Sequence, residues 1–368
     1  MELGLFAMPS HPPERDLREG FEFDLEVLRW LDELGYQEAW VGEHHAAPWE
    51  PLSAPDLLLS VAFRETRRLR MGPGGFLLPF HHPAELANRT ATLDHLSQGR
   101  LNFGVAASSL PGDWVMFDID GKSGIQRDMM WDSLDLILKL WAAEEPARFE
   151  GKFWNVAWPP ELHGIFKPHL KPVQKPHPPI GVAGLSPNSD TLRIAGERGF
   201  WPMSLNLNAS YLKSHWGAVE AGAAKAGRKA NRADWRIVRE IFVADTEEEA
   251  WRLTVNGPMG RMIDEYALHI GRTFGSMKFQ KHDESVADSD VNVEYVAKHN
   301  WLIGTPATVA EKLERLYHAA GGFGTLLVYG FDYADHREAW RHSLELLAKE
   351  VMPRLKHLDA GAAKVAAE

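Results

Sequence analysis

The chain alternates short apolar runs with longer amphipathic stretches. Leu3–Met8 is an apolar run of strand type, and Glu19–Gly35 follows with Phe23, Val27, Leu28, Leu31 and Leu34 recurring at helical spacing. The same strand-then-helix unit returns along the chain. Strands are expected at Glu38–Val41, Leu69–Leu78, Leu101–Ala106, Ile180–Ala183, Trp201–Leu205, Arg236–Ala244 and Thr325–Tyr329, with helices such as Pro83–Ser97, Ser189–Gly199 and Pro306–Ala320 between or after them. Strands alternating with helices pair in parallel, and eight such units at this length favour an α/β fold of the closed (β/α)8, or TIM-barrel, kind over an open doubly wound sheet. No G-x-G-x-x-G follows the first strand. Boundary chemistry agrees with the period: Thr305 before Pro306 makes an N-cap and first-turn pair, and Gly321 with Gly322 ends that helix.

The rhythm gives one barrel over residues 1–356, broken in two places. The stretch 143–179 is Pro-rich, contains Gly151-Lys152-Phe153-Trp154, and reads as an excursion with a small hairpin between the fourth and fifth strands. The stretch 271–299 is polar with little periodicity, a candidate lid over the C-terminal ends of the strands. The Ala-rich tail, 357–368, is expected to fray.

Composition changes this picture only in part. With 45% hydrophobic and 25% charged residues among 368, the chain buries a large core. It has no Cys, which excludes thiol nucleophiles, disulfides and thiolate metal sites and makes the cytoplasm the expected compartment. A net charge of -11 argues against a nucleic-acid partner. The N-terminal stretch lacks the basic start and apolar core of a signal peptide, and no apolar run approaches a bilayer span, so a soluble protein without a membrane partner is expected. The 14 Trp and 17 Phe serve mostly as core, with a remainder to line a greasy pocket.

Barrel enzymes carry their chemistry on the loops that follow the strands. After the second strand comes Glu43-His44-His45, where an imidazole could exchange a proton near neutral pH, or where two histidines could simply satisfy loop carbonyls. After the third strand the glycines of Gly72-Pro73-Gly74-Gly75 allow a flat ring to approach the backbone, or mark a bend in a barrel strand. Ala107 and Ser108 follow the fourth strand. Ser186, Asn188 and Ser189 follow the fifth and open a helix, an arrangement suited to a phosphate and equally to ordinary capping, with Asp190 expected to face solvent. His44, His45, His81 and His82 show no ligand spacing specific for zinc, so no metal is expected.

Taken together, several segments resemble the bacterial-luciferase-like flavin monooxygenase superfamily. They are Ala39-Trp40-Val41-Gly42-Glu43-His44-His45, Leu77-Leu78-Pro79 with His82-Pro83, Leu93 through Arg100 running into Phe103-Gly104, Ala195-Gly196-Glu197-Arg198-Gly199, and Ile303-Gly304-Thr305-Pro306. The Ser186-Pro187-Asn188-Ser189 loop, the Gly196-Glu197-Arg198 stretch and the segment from Gly321 through Val351 are most similar to the diketocamphane monooxygenase type, which oxidises bicyclic terpene ketones. The resemblance implies a two-component enzyme. A transient flavin reductase would supply FMN in reduced form, O2 would add to give a flavin C4a-hydroperoxide, and one oxygen atom would pass to a hydrophobic substrate, in its sharpest version a Baeyer–Villiger oxidation of a terpenoid-like ketone.

Residue by residue, His44 matches the active-site histidine, Gly74 and Gly75 the pair against the isoalloxazine ring, and Ser186, Asn188 and Ser189 the phosphate loop. Ala107 stands where luciferase carries a phosphate-binding Arg, which leaves the phosphate to hydroxyls such as that of Ser108, to amides or to another cation. Trp40, Trp49, Phe76, Phe80 and Trp114 are candidates for the pocket wall, and a homodimer is implied by the family. Two alternatives share the fold: an oxidoreductase using the deazaflavin F420, and a non-catalytic flavin-binding subunit.

Overall fold

The computed structural model describes residues 1–205 and 209–358. Its strands are β1 (Glu2–Ala7), β2 (Glu38–Val41), β3 (Arg70–Pro73), β4 (Phe76–Leu77), β5 (Phe103–Ala106), β6 (Ala147–Glu150), β7 (Asn155–Trp158), β8 (Ile180–Gly184), β9 (Trp201–Ser204), β10 (Arg236–Arg239), β11 (Ile241–Val243), β12 (Leu302–Gly304) and β13 (Thr325–Tyr329). Nine of them form one sheet in the order β3-β2-β1-β13-β10-β9-β8-β5-β4, every pair parallel. Because β3 and β4 are consecutive halves of one broken strand, the order starts and ends on the same stave. The sheet is therefore the expected eight-stave α/β barrel.

The third stave corrects the expectation of one strand over Leu69–Leu78: it breaks at Gly74-Gly75 and ends in a 3-10 turn, Leu78–Phe80. β4 crosses onto the backbone of β5 so closely that a Cβ on Gly75 would lie 2.6 Å from Gly104 C and Val105 N. Only a residue without a side chain fits there. The expected strand Arg236–Ala244 also divides, after Arg239, because Ile241–Val243 leaves the barrel to pair with β12 as a separate parallel ribbon.

The N-terminal end of the barrel is plugged by polar chemistry. Arg236 donates from Nε and a terminal nitrogen to the two Glu38 oxygens, 3.1 Å each, and lies 3.6 Å over the Trp201 ring. Trp40 donates to Glu38 at 2.9 Å, and its ring fills the space that a side chain on Gly181 would take. Removing either charge would strand a buried ion, a loss on the order of 3–5 kcal/mol.

Helix Leu17–Leu34 begins at Asp16, whose carboxylate accepts the amides of Arg18 and Glu19 at 3.0 and 3.1 Å, and ends at Gly35 with φ 82°. Such a cap contributes about 1 kcal/mol. Helix Pro306–Ala320 has the expected Thr305 cap and Gly321 terminus. The first excursion holds the expected hairpin, β6 against β7. The second is more ordered than its polarity suggests: helix Leu268–Phe274 runs into it, and helix Val293–Asn300 closes it on buried Val291, Val296 and Ala297. Sparse apolar anchors at irregular spacing hide such short helices from a periodicity search. The tail expected to fray lies, from position 359, outside the described residues. Among the described residues no helix is long and apolar enough to cross a membrane.

Candidate active site at the barrel mouth

β2 ends at Val41, and the chain turns outward carrying Glu43, His44 and His45. His44 is 9% exposed. Its Nδ1 donates to Asp113 at 2.8 Å, and the other Asp113 oxygen accepts the amides of His45 and Ala46, 2.9 Å each. Ser108 donates a further bond to Asp113 at 3.1 Å. Asp113 is fully buried in the first turn of helix Pro111–Met116, where the helix dipole favours a negative charge. Burial alone would raise its carboxyl, but His44 and the two amides outweigh that and hold it below the usual range. A carboxylate fixed in this way sets both the tautomer and the direction of the imidazole.

The opposite ring nitrogen, Nε2, faces Glu50 at 3.6 Å. Glu50 accepts a 2.7 Å bond from the Tyr266 hydroxyl, and Tyr266 stacks on Trp49 at 6.0 Å. Burial works against a charged His44, yet Glu50, Asp113 and Glu43 together raise its pKa. Burial likewise raises Glu50, with His44 and Tyr266 offsetting part of the effect.

Beside this group, Glu43 accepts bonds from His45 and His81 on one oxygen, 2.8 Å each, and from the Leu77 amide at 3.2 Å on the other. These three side chains, which include His45 and His81 of the four histidines weighed for zinc in the sequence, lie close enough to hold a metal ion. The donor set argues otherwise. Arg89, which can only donate, points at His81 Nδ1 from 3.1 Å, so Nδ1 accepts and Nε2 carries the proton it gives to Glu43. A metal would have to displace that proton and turn Nδ1–H toward a guanidinium. The cluster is best read as a hydrogen-bonded clasp between the second and third strands.

The peptide Gly74-Gly75 is cis and lies beyond Trp40 and Phe6 on the third stave. Across the mouth, the loop after β8 carries exposed Ser186 and Asn188, the latter at φ 51°. Asp190 is exposed as expected and pairs with Arg193 at 2.8 Å. Ser189 is buried and serves as N-cap: it accepts the Leu192 amide and bonds the Thr191 hydroxyl, which donates to Ala183 O.

What fixes this loop is His215, fully buried on helix Ala209–Lys225. Its Nε2 must donate to the Ser186 carbonyl, 3.0 Å away, so its Nδ1 accepts from Ser204 Oγ at 2.9 Å, and Ser204 in turn accepts from Trp235 Nε1 at 2.9 Å. Burial pushes this imidazole down to about 4, so it stays neutral.

The expected aromatic wall separates into two groups. Trp40 and Phe76 lie in the core, Phe76 against Phe103 and beneath Arg89. Trp49 borders a cavity of about 550 Å³ with Ser10, Arg261 and Met262, and Phe80 stacks on Phe117 at 4.3 Å with His45 at their edges. Trp114 is half-buried over Gly121. Ala107 is half-buried at the end of β5. Asp113, Glu50, Tyr266 and His215 were not anticipated. Asp113 had a signal, an acid opening a helix after a barrel strand. Tyr266, 216 positions from Glu50, had none.

A closed barrel with a carboxylate-oriented imidazole at its C-terminal mouth, opposite a loop of hydroxyls and amides, defines a (β/α)8 enzyme. The chain belongs to the luciferase-like monooxygenase family, whose model matches residues 1–323. It is 34% identical to 3,6-diketocamphane 1,6-monooxygenase of Pseudomonas putida over 96% of this chain and 98% of that protein. It is 35% identical to 4-hydroxyprotoasukamycin monooxygenase of Streptomyces nodosus subsp. asukaensis, over 96% and 92%. Among solved structures it matches the oxygenating constituent of 3,6-diketocamphane monooxygenase of Pseudomonas putida, a type II Baeyer–Villiger monooxygenase in complex with FMN. The TM-score is 0.90, at 35% identity over 96% of this chain and 98% of that one.

Proposed function

We propose that this chain is the oxygenating component of a two-component FMN-dependent monooxygenase that inserts one atom of O2 into a hydrophobic, terpenoid-like ketone. The observation that carries the reading is His44, held by Asp113 at the barrel mouth, in a chain that superposes along 96% of its length on an FMN-bound Baeyer–Villiger oxygenase.

The donor set at the mouth suits FMN. Exposed Ser186 and Asn188, with the first turn of helix Asp190–Arg198, offer hydroxyl, amide and dipole to a phosphate, and the loop is braced by His215. Gly74 and Gly75 would lie against the flat ring. Bound in its reduced form, FMN supplies the electrons that activate O2. His44 Nε2 then carries the proton that polarises the substrate carbonyl or meets the reacting oxygen, while Asp113 holds the ring in place. With alanine at position 107, the phosphate is left to hydroxyls, amides or another cation.

Rapid mixing of reduced FMN and protein with oxygenated buffer tests the reading. It predicts a slow absorbance phase that free reduced FMN lacks, shortened by a bicyclic ketone and altered in His44→Ala. If reduced FMN oxidises as it does free in solution while reduced F420 binds tightly, the deazaflavin alternative takes its place.

Three further parts belong to the same proposal. Segment 271–299 covers the mouth as a lid, supported by the Tyr266 bond just ahead of it, and its deletion should alter substrate KM more than FMN affinity. The protein works in the cytoplasm, as the absence of Cys suggests, with the reductase a transient partner. It forms a homodimer through helix Pro55–Glu65, which exposes Leu57 and Val61, and Leu57→Arg should give a monomer in light scattering.

A further inference from the structure

We propose that Glu50 is a positioning residue: anchored by Tyr266, its carboxylate stands opposite the ring nitrogen of His44 that Asp113 leaves free, keeping that nitrogen protonated yet open to an incoming oxygen. The inference rests on the reading of His44 as the group that meets the reacting oxygen and adds the second carboxylate to it.

The two carboxylates hold the imidazole differently. Asp113 is at hydrogen-bond distance from Nδ1, 2.8 Å, whereas Glu50 stands 3.6 Å from Nε2. At that separation opposite charges still attract strongly in a buried site, but among the described residues Nε2–H has no acceptor within hydrogen-bond distance and stays available to a ligand. Tyr266 maintains the gap. Its hydroxyl donates to the same Glu50 oxygen that faces His44, so the carboxylate would have to give up this 2.7 Å bond to close on the ring. The anchor is rigid, because Tyr266 stacks on Trp49 and sits in a π-helical turn, Ile263–Ala267, a distortion frequent at functional sites.

The groups facing His44 are Asp113 from helix Pro111–Met116 and Glu43 and Glu50 from its own loop. Tyr266 and, from β13, Tyr329 face Glu50 in turn. A carboxylate serving only to tether the Tyr266 segment would need no such placement.

The test is an NMR titration of the histidine ring nitrogens in the full chain without cofactor, the His44 signal being assigned by its loss in His44→Ala. Glu50→Gln keeps the shape and an acceptor for Tyr266 but removes the charge. It should lower the His44 midpoint by about one pH unit or more, as loss of an opposite charge at this range does. Tyr266→Phe frees the carboxylate and should leave the midpoint unchanged or raise it. Should Glu50→Gln not fold, Glu50→Asp, which draws the charge back, should give a smaller drop. An unmoved midpoint in the charge variant that folds, or an equal drop in Tyr266→Phe, overturns the inference.

Turnover gives a second readout. A proton donor fails as pH rises through its titration, so the alkaline fall in kcat should move to lower pH in Glu50→Gln, and an unshifted profile would count against the idea. The two readings fail separately. If the wild type does not oxygenate ketones but Glu50→Gln still shifts His44, the function falls and the positioning stands. If oxygenation holds and the titration does not move, the reverse is true.

Discussion

Two histidines at the same end of the barrel sit between pairs of carboxylates, and they differ in one respect. His11, 1% exposed on the loop after β1, bonds Asp332 through Nδ1 at 3.0 Å and Asp24 through Nε2 at 3.1 Å. Arg15 adds a 3.0 Å bond to Asp332, tying the first loop to the one after β13. Both ring nitrogens are spent. His44 has one nitrogen closed at 2.8 Å and the other facing its carboxylate at 3.6 Å. Burial opposes the charge on both rings and the carboxylates overcome it, raising His44 and taking His11 to about 9. Charge environment alone therefore does not mark the functional residue. A buried imidazole with both nitrogens bonded is a fastening, and one with a nitrogen held open is equipped for chemistry.

The contrast is broken most severely at the open ring. His44→Ala should reduce oxygenation by about 10²–10⁴-fold, the range of a lost general acid or base, while FMN affinity changes little. Steady-state kinetics with excess reduced FMN checks this, and a variant that turns over normally would remove His44 from the mechanism. The closed ring should answer in the other observable. His11→Ala leaves half-buried Asp24 without its partner and should cost about 1–3 kcal/mol in denaturant unfolding, with kcat much less affected among molecules that remain folded.

The His11 cluster should also make stability depend on pH. Its folded-state pKa of about 9 lies above the ordinary 6.5, so its contribution is complete below 6.5 and is lost as pH rises through 9. Melting temperature should fall across that window in the wild type and fall less in His11→Ala. The smallest effect concerns the phosphate side of the mouth. Ala107→Arg should tighten FMN by about tenfold, roughly 1.4 kcal/mol, and make binding more sensitive to salt. Unchanged affinity would place the phosphate elsewhere.

Much of this was legible beforehand. All eight staves fall on stretches whose apolar runs announced them, since a strand buried on both faces must be apolar nearly throughout, as Thr325–Tyr329 is. The two strands drawn too long, Leu69–Leu78 and Arg236–Ala244, show the limit of that signal. Apolar character continues through a change of partner, and the place where β4 steps onto β5, or β11 onto β12, depends on strands far away in sequence. At the site, His44 and the loop bearing Ser186 and Asn188 were singled out because positions after strands carry meaning on any barrel, and the structure places both at the mouth. Ser108 was expected near a phosphate, and the structure shows its hydroxyl bonded to Asp113, a contact with no local signal.

The sequence by itself determined the parallel alternating fold, the helix cap at Thr305, and the imidazole after the second strand, because each follows from periodicity or from chemistry within a few residues. Only the tertiary structure decided which acids face that imidazole, which histidine is closed and which left open, and that His215 and Tyr266 brace the two sides of the mouth. Those outcomes rest on contact distances that differ by less than an ångström, 2.8 against 3.6 Å at His44, between residues up to 321 positions apart, and barrel closure brings them together without leaving a local pattern in the chain.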